Sequence, residues 1–308
     1  MKTEFPKQGV IAALALPFDQ EGLLMEDALR QHLDWLKASG IHGILVLGST
    51  GEFPLLSVDQ RKDAMAAVVR LAAPLPVMAN ITDLRPPVVA ELGAFARELG
   101  LPAVAIMPPL FYPTSDDDQL AWFEFAADAS QLPVLLYNFP ELTGKRIPLE
   151  VIRRATANIP VMGIKQSGSE FSYHLPLIEL ARDKGFSVFS GSDIRLPEVF
   201  RIGADGCIGG LVNFVPEMML EQFNRHFKGL EGGDPEQTVE RMQEVGRIIS
   251  QLEFPYNVRA GMLARGFSCG ATQLVLNRET RRRMGGLVDE FRTRFAEWGL
   301  PPVESLSS

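Results

Sequence analysis

The chain has 308 residues, 46% of them hydrophobic and 22% charged, with a formal net charge of -8 and a pI near 5.2. That composition suits a globular protein with a large core, and an acidic balance without a Lys/Arg run leaves no footprint for nucleic acid. Cys207 and Cys269 are far apart, which argues against a disulfide or zinc framework, and no apolar run is long enough to span a bilayer.

Short apolar, β-rich runs alternate with helix-period segments along the chain. A strand over 10–18 leads to a helix over 25–39, and 43–48 leads to 58–72. The pairs continue as 76–81 with 87–99, 103–107 with 117–130, and 134–137 with 149–156. Then come 161–165 with 173–184, 187–190 with 196–202, and 206–211 with 216–229. Ser57 and Gln60 have capping-box spacing at one helix start. Gly40, Gly100, Gly185 and Gly203 stand just past helix ends. The three carboxylates Asp116, Asp117 and Asp118 open a helix, where they suit the positive end of its dipole better than a metal. Strands apolar on both faces belong to parallel sheets covered by helices. Eight such units predict an α/β chain folded as a closed (β/α)8 TIM barrel. An open Rossmann sheet fits less well, because no GxGxxG follows the first strand. Residues 235–253, 256–265 and 277–298 read as helices without strands. The expected division is a barrel over 1–230 and a C-terminal helical extension packed on it over 231–308. Arg281, Arg282 and Arg283 read as a solvated helix face. The N-terminal segment MKTEFPKQGV lacks the apolar core of a secretory signal, so the expected location is the cytoplasm.

The stretch IPVMGIKQSG over 159–168 is apolar or glycine up to Lys165. In such barrels strand interiors fill the core, while strand C-terminal ends carry the chemistry. Lys165 closes the predicted sixth strand, Tyr137 closes the fifth, and GSTGE at 48–52 follows the second. All three converge on one face. A lysine among apolar neighbours is partly desolvated, which disfavours an ammonium, and a free amine attacks carbonyls to form a Schiff base. Alone, Lys165 reads more simply as a residue reaching for solvent. Alone, GSTG is a tight turn and Tyr137 a rim aromatic. Together the loop offers Ser49 and Thr50 hydroxyls and backbone N–H groups to a carboxylate, and Tyr137 can move protons. The set points to imine formation with a 2-oxo acid.

At these residues the sequence resembles the pyruvate-dependent class I aldolases. That family includes dihydrodipicolinate synthase, N-acetylneuraminate lyase and the 2-keto-3-deoxy sugar-acid aldolases. The resemblance covers residues 8–300 and rests on GSTGE at 48–52, YNFPELTG at 137–144, GIKQSG at 163–168, GSD at 191–193 and GCIGGLVN at 206–213. It implies that Lys165 forms the Schiff base with pyruvate and that Tyr137 shuttles protons. It implies that Ser49 and Thr50 bind the pyruvate carboxylate, with Thr50 also relaying protons to Tyr137. The main-chain carbonyl of Ile208 would touch the bound pyruvate. Ser167, Gly191 and Asp193 would contact the distal part of the substrate, although Asp193 fits a cap for the following helix equally well. The resemblance further implies no metal or organic cofactor and a homotetramer built as a dimer of dimers.

Departures from the family pattern narrow the substrate. Leu142 stands where the synthase has a carboxylate-binding arginine. Leu110 and Phe111 fill its paired-tyrosine positions, with Tyr112 as a substitute if the loop shifts by one. Ile194 stands where the sialic acid lyases carry an acidic residue. The expected activity is therefore cleavage or formation of a 2-oxo acid, such as a 2-keto-3-deoxy sugar acid, with pyruvate and an aldehyde as the partners. Sugar-acid dehydration and 4-hydroxy-tetrahydrodipicolinate synthesis remain alternatives within the family. A metal-dependent aldolase would need a ligand cluster, and His32, His42, His174 and His226 are scattered. Gly209-Gly210 raises a phosphate site, and a non-catalytic ligand-binding barrel is the alternative of another class.

Overall fold

The computed structural model describes residues 4–303. Eight parallel strands close into a barrel in sequence order, the first pairing with the eighth. They are β1 (Gly9–Ala13), β2 (Gly43–Val46), β3 (Val77–Asn80), β4 (Val104–Ile106), β5 (Val134–Asn138), β6 (Val161–Gln166), β7 (Ser187–Ser190) and β8 (Gly206–Gly209). Apart from Val161 and Met162 at the start of β6, every strand residue is buried. Burial on both faces is what their unbroken apolar runs require.

The surrounding helices are α1 (Glu26–Ser39), α2 (Val58–Ala72), α3 (Pro86–Glu98), α4 (Asp116–Ser130), the one-turn α5 (Pro140–Thr143), α6 (Leu149–Asn158), α7 (His174–Lys184), α8 (Leu196–Ile202) and α9 (Pro216–Lys228). Ser57 closes a capping box with Gln60, and Ser115 closes another with Asp118. The Asp118 carboxylate is thus a helix cap. Gly40, Gly100, Gly185 and Gly203 all take positive φ, between 76° and 108°.

Three further helices follow: α10 (Pro235–Ile249), α11 (Tyr256–Ala264) and α12 (Arg278–Glu297). Phe291 and Phe295 of α12 lay their rings against Phe214 of the barrel at 5.4 and 6.3 Å. The Arg265 guanidinium, 1% exposed, reaches Glu217 of α9 at 2.6 Å. Among the described residues no helix is long and apolar enough to cross a membrane. Both cysteines are free and buried.

The structure corrects several boundaries. The first strand ends at Ala13, not residue 18, because the chain then turns across the barrel mouth, where Phe18 bridges to Leu24 and Gly270. The eighth ends at Gly209, and Leu211–Asn213 form a 3-10 turn. Tyr137 and Lys165 are penultimate in their strands, because Asn138 and Gln166 pair one position further.

Candidate active site

The site is set by register. β5 and β6 pair so that Tyr137 stands opposite Lys165. Both are buried, 1% and 4% exposed. Lys165 Nζ donates to the Tyr137 hydroxyl at 3.0 Å and lies 4.2 Å from the centre of its ring. One residue on, Asn138 Nδ2 donates to Gln166 Oε1 at 2.6 Å, and Asn138 Oδ1 accepts the Ile147 N–H at 2.9 Å. This polar clamp is fully buried and fixes the strand ends that carry Tyr137 and Lys165.

Ser49 Oγ lies 3.3 Å from the Tyr137 hydroxyl, so the tyrosine sits between lysine and serine. Ser49 belongs to a 3-10 turn over Ser49–Gly51 that leaves β2. Gly51 needs its lack of a side chain there: a Cβ would stand 3.0 Å from the Leu14 carbonyl. The next residue, Glu52, is buried and held in the left-handed region at φ 55°. Its Oε1 takes an ion pair from Arg259 of α11 at 2.8 Å, and Arg259 also donates to the carbonyls of Cys269, Gly270 and Ala271. The loop after β2 is therefore braced by α11 and the segment that follows it.

The GSD motif is explained by two close approaches. A Cβ on Gly191 would stand 2.2 Å from Ser167 Oγ, and one on Gly209 would stand 2.2 Å from Asp193 Oδ1. The glycines clear space for the serine and the aspartate. Asp193 Oδ2 accepts the Leu211 N–H at 2.9 Å, tying the turn after β7 to the turn after β8. It is no cap for α8, whose N-terminus has no side-chain cap. Burial pushes the Asp193 carboxyl up to about 6, against the pull of the Leu211 N–H and the Lys165 charge.

Thr50, Tyr137, Lys165, Ser167, Asp193 and Ile208 line one cavity of about 370 Å³, with Gly191 in its wall. Ser49 stands behind this wall, with its Oγ on the Tyr137 hydroxyl. Leu142 and Phe111 lie outside this cavity of the single chain, and both are exposed, 52% and 81%; the position of Phe111 is expected to act across a subunit interface. The turn after β5 carries Leu142 outward on α5, and the loop after β4 turns Phe111 away. Phe139, Phe254, Asn257 and Val258 line the cavity and were missed. Phe139 had a signal, since it lies two residues past Tyr137, and alternate strand residues share a face. The others belong to the extension, where no strand end marks them. Among the described residues no group of three His, Cys, Asp or Glu is placed to hold a metal. His32 is a buried structural histidine. It contacts the Asn213 carbonyl, and burial lowers it to about 4.

The sequence profile of the dihydrodipicolinate synthetase family matches residues 6–279. The chain belongs to this family. Among similar members, a DapA-like lyase of Pyrococcus horikoshii is 31% identical over 84% of this chain and 91% of its own. A 4-hydroxy-tetrahydrodipicolinate synthase of Methanothrix thermoacetophila is 29% identical over 72% of this chain and 75% of its own. The fold matches that of YagE, a prophage protein of the same family from E. coli K12 solved in complex with pyruvate. That match has a TM-score of 0.84 at 22% identity, over 93% of this chain and 98% of that one. Dihydrodipicolinate synthase from Aquifex aeolicus also gives 0.84 at 22% identity, over 96% and 99%.

Proposed function

We propose that the protein is a lysine-imine lyase that interconverts a 2-oxo acid with pyruvate and an aldehyde. The observation that carries this reading is the buried Lys165 amine, 3.0 Å from the Tyr137 hydroxyl on the floor of a cavity at the strand C-terminal ends. Neutral Lys165 attacks C2 of a 2-oxo acid whose carboxylate rests at Ser49 and Thr50. The carbinolamine oxygen takes the Tyr137 proton and leaves as water, giving a Tyr137 phenolate and an iminium, the electron sink for breaking C3–C4. Tyr137 takes the proton from the C4 hydroxyl as the aldehyde leaves. The pyruvate enamine is protonated at C3, and hydrolysis frees the lysine. Covalent capture divides one hard step into easier ones. The Ile208 carbonyl belongs beside the bound pyruvate. Ser167, Gly191 and Asp193 line the wall beyond, which supports contact with the distal substrate. Family membership and the relatives' names support the lyase class. The 4-hydroxy-tetrahydrodipicolinate reading is weaker, because the position of Leu142 offers no cation to a second carboxylate.

The test is the intact mass of the protein after incubation with pyruvate and borohydride. A single reduced pyruvyl adduct is expected on the parent, and none on Lys165→Ala. An unmodified parent would exclude the imine, leaving a barrel that only binds its ligand.

A further inference from the structure

The reactive residues form the floor of the cavity, and the walls above them are largely apolar. Tyr137, Phe139 and Phe254 make a run of rings from floor to mouth, their centroids 6.3 and 6.4 Å apart in turn. Ile194, Ile249 and Val258 face the same space. Ile194 and Phe254 stay 41% and 39% exposed although they line a cavity. Large apolar side chains at the rim of a concave site mark what it receives. Ile194 is also braced from behind by α10, where a Cβ on Gly246 would stand 3.1 Å from its Cδ1.

The polar groups around these walls are mostly engaged already. Asn257 donates to the Ile249 carbonyl at 3.1 Å and accepts the Val258 N–H at 2.8 Å. The Ser169 hydroxyl donates to Glu141. Arg195 is held by Glu198 and lies 3.5 Å over the Phe171 ring. Asp193 holds the Leu211 N–H with one oxygen, and the other is buried without a partner. Ser167, Ser192 and that one oxygen remain. A hydroxyl that enters such a space loses its hydrogen bonds to water, and without a new partner that loss weakens binding. Two serines and one carboxylate oxygen serve a polyol chain badly, while the rings and branched side chains gain from covering an apolar group.

We propose that the distal part of the substrate is apolar: an aromatic or branched aliphatic group on C4 of a 4-hydroxy-2-oxo acid, held by Phe139, Ile194, Ile249, Phe254 and Val258. The proposal rests on the imine reading above and revises the sugar-acid expectation. In the synthetic direction, C3 of the pyruvate enamine on Lys165 attacks the aldehyde carbon. The C3–C4 bond forms, and the carbonyl oxygen takes the Tyr137 proton. Water adds to the iminium, the released proton returns to Tyr137, and the 4-hydroxy-2-oxo acid leaves neutral Lys165.

The experiment measures aldol addition of pyruvate to benzaldehyde, isobutyraldehyde, D-glyceraldehyde and D-erythrose, with borohydride capture of pyruvate run in parallel. The expected kcat/KM for an apolar aldehyde is about tenfold or more above either hydroxylated one. Phe254→Ser, at a half-exposed position, is expected to shrink that ratio several-fold. Equal or faster reaction of the hydroxylated aldehydes overturns the proposal. So does pyruvate capture without turnover of an apolar aldehyde, or an unchanged ratio in Phe254→Ser. Failure of capture itself removes the imine, and the adduct mass tells that failure from the others.

Discussion

Tyr137 touches both Lys165 and Ser49, which is why the proposed reaction routes its protons through that hydroxyl. Tyr137→Phe keeps the ring and removes that path. Turnover is expected to fall by about 10²- to 10⁴-fold, while pyruvate is still captured by Lys165. A variant that turns over like the parent would place the proton transfer elsewhere. Asp193 allows a prediction from pH. Its folded value, about 6, lies above the ordinary carboxyl value of 3.8. The protonated form therefore favours the fold, and that stability is lost as pH rises through about 6. Asp193→Asn keeps an oxygen for the Leu211 N–H and carries no charge. The variant is expected to be more stable than the parent above pH 6, on the order of 2 kcal/mol, with the advantage gone near pH 4. Thermal melts between pH 4 and 8 check this, and a gap constant with pH would count against a titrating Asp193. At this scale the sequence told where Lys165, Tyr137 and Asp193 lie, because strand ends and short motifs mark them. It could not tell that both Asp193 oxygens turn toward the β8 end, since that depends on residues far along the chain.

Elements carry the next layer of precision. Gly191 exists to make room for Ser167, so Gly191→Ala should damage the site by pushing the serine or β7 aside. Adding Ser167→Gly removes the clash and should restore part of the pyruvate capture rate lost by the single variant. That coupling is what residues in contact display and distant ones do not; additive losses would refute it. The loop after β2 is held from the other direction. Removing one partner of the buried Glu52–Arg259 pair leaves a charge without compensation, which typically costs about 3–5 kcal/mol. Arg259→Met is thus expected to lower the denaturation midpoint sharply and to weaken pyruvate capture, because Glu52 follows Thr50 by two residues. Strands of unbroken apolar residues were legible as such, and their closure followed from eight repeats. Their ends were not, because Asn138 and Gln166 look like loop residues until each finds the other across two strands. The short α5 was equally hidden, since four residues give no helical period.

At the scale of the whole molecule, the loop after β4 poses a problem that a single chain does not solve. Phe111 is held at φ 69°, a left-handed conformation that costs a bulky residue about 1–2 kcal/mol. Its ring is 81% exposed and meets Tyr112, 68% exposed, edge-on at 4.9 Å. The loop is fixed in that pose, because Lys145 Nζ donates to the Tyr112 carbonyl at 2.5 Å and to Thr114 Oγ1 at 3.0 Å. Leu142, exposed at 52%, rides on α5, close in sequence to that lysine. Strain held in place while two rings face water lowers the stability of an isolated chain; burial of the same rings against a second copy would reverse the balance at about 25 cal/mol per Å². A homotetramer, as proposed from the family resemblance, would supply such a surface. Sedimentation should therefore give an assembled species for the parent, and Phe111→Asp, which places a charge on that patch, should shift it toward smaller ones without lowering the melting temperature of the chain itself. If the parent sediments as a single chain, the outward rings have no partner copy to cover them, and the strain at Phe111 must serve a contact with something else.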